Sequence, residues 1–390
     1  MASKVIKHLY YITHIDNLLS ILQNGILSHE QIETRQIKYT PIYDKEIIEN
    51  RHNKTLSDGN SLWHFANLYF QPRNPMLYRV ICEKPIDEIA VIAVRYDLLN
   101  RNDIFISNGN AASTTTEILP AVEGRKSISK LAKILDKEWW TEESGDKRKI
   151  MAECLIPEVV SPEYIHTIYV ANHDVANKVK ESLSPLNIPV VPQPNMFFKP
   201  SRKIEIAPSL FVTDGDMFFS RMQTLTISVN CVGVMGKGLA SRTKWQFPDV
   251  YVQYQYACRS RALRMGKPYL YKREGSLDYQ LADEPTTLKN GNGATWFLLF
   301  ATKQDWRENA DISGIEEGLQ WLKDNCKKEG IKSLALPALG CGLGNLKWQD
   351  IGPLMCRYLC DLEIPIRIFL PAEKKVSDEF LSKEFLLSKK

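Results

Sequence analysis

The sequence predicts two successive domains, the second a three-layer α/β sandwich, and three observations carry that expectation. At 390 residues the chain exceeds one ordinary core. From about residue 220 onward, short apolar runs alternate with helical patterns, the rhythm of strands crossed by helices. Two glycine-rich loops, VNCVGVMGKGLA (229–240) and LALPALGCGLGNL (334–346), each follow one of those apolar runs.

The division falls near residue 200. The stretch NIPVVPQPN (187–195), followed by FFKPSRK, concentrates prolines without helical periodicity, so 187–208 reads as a linker. Beyond it the expected elements are a strand at 225–230, a helix from about 238, a strand at 296–301 and a helix at 312–328. A strand at 331–336, a helix at 349–362 and a strand at 366–370 follow. The last residues, VSDEFLSKEFLLSKK, space their apolar groups as a docking helix or a frayed tail would.

Composition narrows the function classes. The chain has 50 basic and 46 acidic residues, divided 25 to 24 through residue 203 and 25 to 22 afterwards. Neither half is a basic glove, so contact with nucleic acid requires a local patch and stacking side chains. The eight cysteines are scattered without a CxxC pair, which suits reduced thiols and no zinc or other metal site. The N-terminus MASKVIKHLYYITHIDNLL is interrupted by Lys, His and Asp, and no run of about eighteen apolar residues occurs. A cytoplasmic protein without secretion signal or membrane span is expected. All seven histidines precede the linker, so chemistry in the second half must come from Lys, Asp, Asn or backbone.

A strand that ends in glycines and feeds a helix aims backbone N–H groups and the positive helix end at a phosphate, and two such loops can grip one diphosphate. Gly233, Gly236 and Gly238 do not fit the spaced GxGxxG dinucleotide fingerprint. With VTDGDM (212–217) upstream and FATKQDW (300–306) between them, the two loops resemble a macrodomain, the ADP-ribose-binding module, over residues 204–372. The resemblance places Asp216 on the adenine amino group and Asn230 at the distal ribose. Gly233, Gly236, Gly238, Gly340, Cys341, Gly342 and Leu343 would surround the ADP-ribose. By residue type alone, Asp216 also suits a helix N-cap and Asn230 the satisfaction of strand-end backbone. Lys303, directly after WFLLFAT, reads equally as a solvated strand-end charge. FATKQDW resembles the segment holding the catalytic lysine of DarG-like macrodomains, antitoxins that remove ADP-ribose from DNA bases. Such a lysine attacks or polarises the anomeric carbon if its pKa falls from the usual value near 10.4.

In the first half, LYYITHIDNL (9–18) is an apolar strand running into the helix NLLSILQNG, which Gly25 ends. IENRHN (48–53), YFQPRNPMLY (69–78) and MAECLI (151–156) follow in order. The four blocks resemble DarT, the NAD-dependent DNA ADP-ribosyltransferase toxins, over residues 8–200. That resemblance implies an α+β ADP-ribosyltransferase-like domain in residues 1–200, with Arg51 and Glu153 catalytic. A carboxylate suits Glu153, because breaking the nicotinamide glycosidic bond develops oxocarbenium character on the ribose. Arg51 can offset charge on the base or clamp the NAD phosphates. Tyr11, Thr13, His14 and Asn17 would line the NAD pocket, with a backbone-bonded core histidine as the other reading of His14.

Trp139 and Trp140 with Lys147, Arg148 and Lys149 would make a surface for single-stranded DNA, joined by Arg73 and Tyr78. The intervening Glu142, Glu143 and Asp146 fit a solvated helix start instead. The implied whole is a toxin–antitoxin fusion. Residues 1–200 would write ADP-ribose onto thymidine in single-stranded DNA, residues 204–372 would erase it, and 373–390 would form a tail. The alternative is a writer acting on another base, RNA or protein, with the macrodomain reading ADP-ribose without cleaving it.

Overall fold

A computed structural model describes residues 6–43, 49, 51–372 and 374–388. The chain forms two compact units, one of residues 1–197 with 279–291 and the other of 198–278 with 292–390. The second domain is expected to run unbroken from 204 to 372, whereas residues 279–291 fold with the first unit.

The first unit is built on a largely antiparallel sheet. Its described strands lie in the order Val190–Pro192, Ile165–Val170, Ile89–Arg95, His8–His14, Phe65–Tyr69, Glu153–Pro157, Phe105–Ser107 and Ile118–Pro120. Only Val190–Pro192 pairs in parallel, with Ile165–Val170. The inner strand Ile89–Arg95 is buried at every position but the last, as expected where both faces of a sheet are covered. Leu9, Ala90, Ile92, Ile106, Cys154 and Ile156 share its core with the helix residues Leu18, Ile128 and Val175. Helix Pro75–Glu83 starts cleanly because Asn74 accepts the Leu77 N–H at 3.0 Å and Pro75 occupies its first turn.

The expected linker at 187–208 is shorter than its prolines suggest. Val190–Pro192 is an edge strand of the first sheet and Lys203–Ala207 an edge strand of the second, the sheet position that tolerates proline and its missing N–H.

The second unit is an α/β sandwich. Its strands lie in the order Lys203–Ala207, Leu210–Thr213, Ile366–Phe369, Leu334–Pro337, Thr224–Asn230, Trp296–Lys303 and Tyr269–Tyr271, with the five inner ones parallel. Alternation along Trp296–Lys303 creates the layers. Leu298 and Phe300 join Ile315, Leu319 and Leu322 of helix Ile312–Glu329 and Ile351 and Met355 of helix Trp348–Leu359. Phe297 meets the Phe247 ring, 5.1 Å between centroids, where helix Pro248–Arg259 begins. At the C-terminus, Leu381 and Leu386 are buried in this core and the Trp348 indole donates to the Phe380 carbonyl at 2.9 Å. No helix among the described residues is long and apolar enough to cross a membrane.

Candidate active sites

In the first unit, Glu153 opens its strand opposite Tyr69 and is fully buried. Its backbone N–H donates to Ser107 Oγ at 2.9 Å, and that hydroxyl donates to the Gly109 carbonyl at 2.6 Å. Arg51 grips the carboxylate from one side, Nη2 to Oε2 at 2.9 Å and Nη1 to Oε1 at 3.4 Å. From another side the Ala111 N–H donates to Oε1 at 2.8 Å. Burial works against the Arg51 cation, but Glu153 outweighs it and holds the guanidinium above its usual pKa. The sequence blocks at 48–53 and 151–156 therefore meet as a forked ion pair. Ile48 and Asn50 of the first block lie outside the described residues.

A solvent-open pocket is lined by Tyr11, Thr13, Asn17, His29, Tyr39 and Tyr43, among others. Asn17 shapes it, donating to Thr13 Oγ1 and the Thr40 carbonyl and accepting the Thr40 N–H at 2.8 Å. Tyr43 lines the pocket and feels the charges of the ion pair. Burial and Tyr11 raise its pKa, Glu153 adds to that, and Arg51 opposes it. Tyr69 is raised well above the ordinary value by burial and then by Glu153, so both phenols remain neutral O–H donors. His29, stacked on Trp63 with ring centroids 4.5 Å apart, is lowered to about 4 by burial and the Arg51 charge, and is neutral at physiological pH.

His14 is a correction. It does not line the pocket, because strand alternation sends it away from Tyr11 and Thr13. Its Nδ1 accepts the Asp16 N–H at 3.1 Å and its Nε2 faces Glu88 at 3.3 Å, so it caps the turn that follows the strand.

Burial removes Tyr78, Trp140 and Lys147 from the expected DNA patch. Tyr78 and Trp140 are each 1% exposed and present no ring to a base. Lys147 is buried and paired with Glu142 at 3.2 Å. Arg148 spends its Nη1 on Asn108 and Thr116 inside the unit. Lys149 and Arg73 are half-buried. The rings of Tyr78 and Trp140 serve core packing.

In the second unit, three loops converge beyond the carboxyl ends of the parallel strands, where ligands sit in such sheets. The Cys231 N–H donates to the Gln304 carbonyl at 3.0 Å, and the Ala310 N–H to the Gly344 carbonyl at 2.9 Å. Lys303 Nζ donates to the Glu308 carbonyl at 2.6 Å and the Leu343 carbonyl at 3.2 Å. A side-chain carbon on Gly238 would lie 3.5 Å from Leu343 Cδ1, so the two glycine loops face each other. Leu343 is 62% exposed there, beside Gly342. Asp216 Oδ1 caps the Phe218 N–H at 3.0 Å and Oδ2 pairs with Arg242 at 2.6 Å. Asn230 is turned onto its own loop, donating to the Val234 carbonyl and accepting from Val232, Val234 and the Tyr254 hydroxyl. In the structure these two side chains thus perform the capping and strand-end roles that their residue types allow.

The glycines divide by purpose. Gly233 and Gly340 have φ of 84° and 71°, the left-handed region. At buried Gly340 a side-chain carbon would also come within 2.7 Å of Leu346 and 2.9 Å of Ala310, so glycine there is required by the fold. Gly236 is exposed, and a carbon added to it would meet only Val234, at 4.0 Å. Cys341 is buried, which pushes its thiol up to about 12 and removes it as a nucleophile. Among the described residues no group of three or more His, Cys, Asp or Glu is placed to hold a metal ion.

Residues 10–198 match the family model described as DarT, ssDNA thymidine ADP-ribosyltransferase. A DNA ADP-ribosyl transferase–DNA ADP-ribosyl glycohydrolase fusion protein of Thermosipho africanus is 56% identical over 383 residues, 98% of this chain and 98% of that protein. The chain belongs to the DarTG family. The solved structure of Thermosipho africanus DarTG in complex with ADP-ribose matches with a TM-score of 0.94 at 55% identity, covering 98% of this chain and 100% of that one. A DNA ADP-ribosyl glycohydrolase of Thermus aquaticus is 32% identical over 160 residues, 41% of this chain and 40% of that protein. As a DarTG member the chain joins a DarT-type ADP-ribosyltransferase to a DarG-type macrodomain glycohydrolase.

Several residues around the DarT-type centre escaped the sequence reading. Tyr69 opens the block YFQPRNPMLY but has no pattern that marks a role, and Tyr43 closely follows Pro41 in a stretch with no distinguishing pattern. Ala111 contributes only its backbone N–H, which leaves no mark in residue identity.

Proposed function

We propose that the first unit transfers ADP-ribose from NAD onto thymidine bases of single-stranded DNA in the cytoplasm, and that the macrodomain hydrolyses the adduct. The observation that carries the writer is the buried fork of Arg51 on Glu153, with Tyr43 of the pocket wall in its field. NAD enters as substrate, with Tyr11, Thr13 and Asn17 along the pocket wall. The bond from ribose C1 to nicotinamide breaks, a bond from C1 to a thymine nitrogen forms, and the proton leaves that nitrogen. Glu153 stabilises the positive charge that develops on the ribose, with Arg51 and the Ala111 N–H fixing its aim. A carboxylate has about four lone-pair sites, and the three donors from Arg51 and Ala111 leave room for a sugar hydroxyl.

In the second unit, the glycine loops cradle the diphosphate and Lys303 stands at the distal ribose. Water then replaces the thymine nitrogen at C1, giving ADP-ribose and the unmodified base. Mass spectrometry of thymidine-containing and thymidine-free oligonucleotides, incubated with NAD and the full chain carrying Lys303→Ala to block erasure, tests the acceptor. A single ADP-ribose addition confined to the former is expected, and labelling of RNA or protein alone would sink the assignment.

The loops have their own test. Because Gly236 can take a side chain without disturbing the fold, Gly236→Glu should place a carboxylate against the diphosphate while the protein stays folded. Calorimetry should show ADP-ribose affinity at least about tenfold weaker, ~1.4 kcal/mol. Equal affinity would remove this loop from the site.

A further inference from the structure

Residues 279–291 lie within the macrodomain sequence but belong to the compact unit of the transferase. Helix Pro75–Glu83 is their anchor. Arg79, buried on that helix, donates through Nη1 to the carbonyls of Asp283 at 3.2 Å and Glu284 at 2.7 Å, and through Nη2 to that of Thr287 at 3.2 Å. One turn later Glu83 accepts the Lys289 N–H at 2.6 Å and the Asn290 N–H at 3.2 Å. The Asp283 N–H donates to the Pro75 carbonyl at 3.1 Å, and the Trp140 indole to the Leu281 carbonyl at 3.1 Å. A buried guanidinium is tolerated only when its donors are satisfied, so Arg79 and this strap are made for each other.

The strap reaches the ion pair through Asn110. Asp283 Oδ2 accepts from Asn110 Nδ2 at 3.3 Å, while Asn110 Oδ1 accepts the Ala112 N–H at 3.0 Å. The Asn110 backbone N–H is tied to the Arg148 carbonyl at 3.0 Å. Between the two capped residues sits Ala111, whose N–H reaches Glu153 Oε1. Tyr43 and Tyr69 lie in the field of Asp283 as well as that of Glu153. Burial pushes the Asp283 carboxyl up to about 6, helped by Glu284 and opposed by Lys147 and Arg79, so it is largely ionised at neutral pH.

We propose that the strap 279–291 completes the transferase site, with Asp283 a positioning residue that sets the Asn110–Ala111 turn against Glu153. The sequence reading expected residues 1–200 to carry transfer alone, but such a piece lacks the strap. The inference rests on Glu153 being the writer's carboxylate and goes beyond it by making a residue of the second sequence half part of the same reaction.

The test uses the full chain, with NAD and a thymidine-containing single-stranded oligonucleotide, and follows nicotinamide release, which erasure does not affect. Asp283→Ala should lower kcat at least tenfold with the KM for NAD within twofold, because the Ala111 N–H aims the carboxylate and does not hold NAD. Asp283→Asn keeps an acceptor for Asn110 and should stay within threefold of wild type. Asn110→Ala should match Asp283→Ala, and the double variant should be no slower than either. Circular dichroism melts of each variant separate these effects from unfolding. A folded Asp283→Ala at or above the wild-type rate overturns the proposal, as does an Asp283→Asn as slow as the alanine variant. Glu153→Gln is the control. If it is inactive while Asp283→Ala is unaffected, only the strap's role has failed; if it keeps full rate, the assignment of Glu153 has failed.

Discussion

Full-length protein carrying Glu153→Gln should release nicotinamide from NAD about a thousandfold more slowly than wild type, ~4 kcal/mol of lost transition-state stabilisation. The amide has the shape of the carboxylate and keeps an oxygen for the Ala111 N–H, but it carries no charge to set against the forming oxocarbenium. Arg51→Ala should also stop transfer, by a different route. It leaves the Glu153 carboxylate, 1% exposed, without its cation, and breaking such a pair costs about 3–5 kcal/mol of stability. Arg51→Lys retains the charge but not the fork. Each change leaves one member of the buried pair without its counter-charge and should lower the melting temperature, so nicotinamide release is compared below the cooperative melt of each variant. Undiminished nicotinamide release by Glu153→Gln would remove the carboxylate from the reaction.

Expression of the chain with Lys303→Ala should kill a bacterial host, and adding Glu153→Ala should restore growth. In the proposed placement Lys303 acts at the distal ribose, so its loss should weaken erasure far more than ADP-ribose binding. Lys303 also ties the loop at 308 to the loop at 343, so some affinity will be lost with it. The purified variant should bind ADP-ribose within about tenfold of wild type, a difference below ~1.4 kcal/mol, yet strip modified DNA at least about a hundredfold more slowly. Normal growth while the writer is active and modified DNA is still cleared would refute lysine-dependent erasure. The macrodomain would then be a reader or use another catalytic residue.

The second unit was the more legible in sequence, because a parallel sheet records itself as long apolar runs separated by amphipathic helices. The expected helix at 312–328 is Ile312–Glu329, and the expected strand at 296–301 is Trp296–Lys303. In the first unit the charged pair was legible because Arg51 and Glu153 lie in recognisable blocks. The DNA surface was not, since sequence gives the type of a residue and not its burial: Tyr78 and Trp140 have the rings for stacking but are packed inside. His14 was misplaced by one step of strand alternation. Asp283 could not be found at all, because its partners Arg79 and Asn110 are far from it in sequence and belong to no motif.

The path of the chain through residues 279–291 constrains how such a protein can be divided. A gene coding for two simply concatenated modules can be split once, and each product keeps all of its parts. Here a break near residue 198 leaves the upstream product without residues 279–291, and a break after 291 sends much of the second unit along with the first. No single cut in the coding sequence yields both units whole. Recombination that exchanged one half for a foreign counterpart would also replace part of the other.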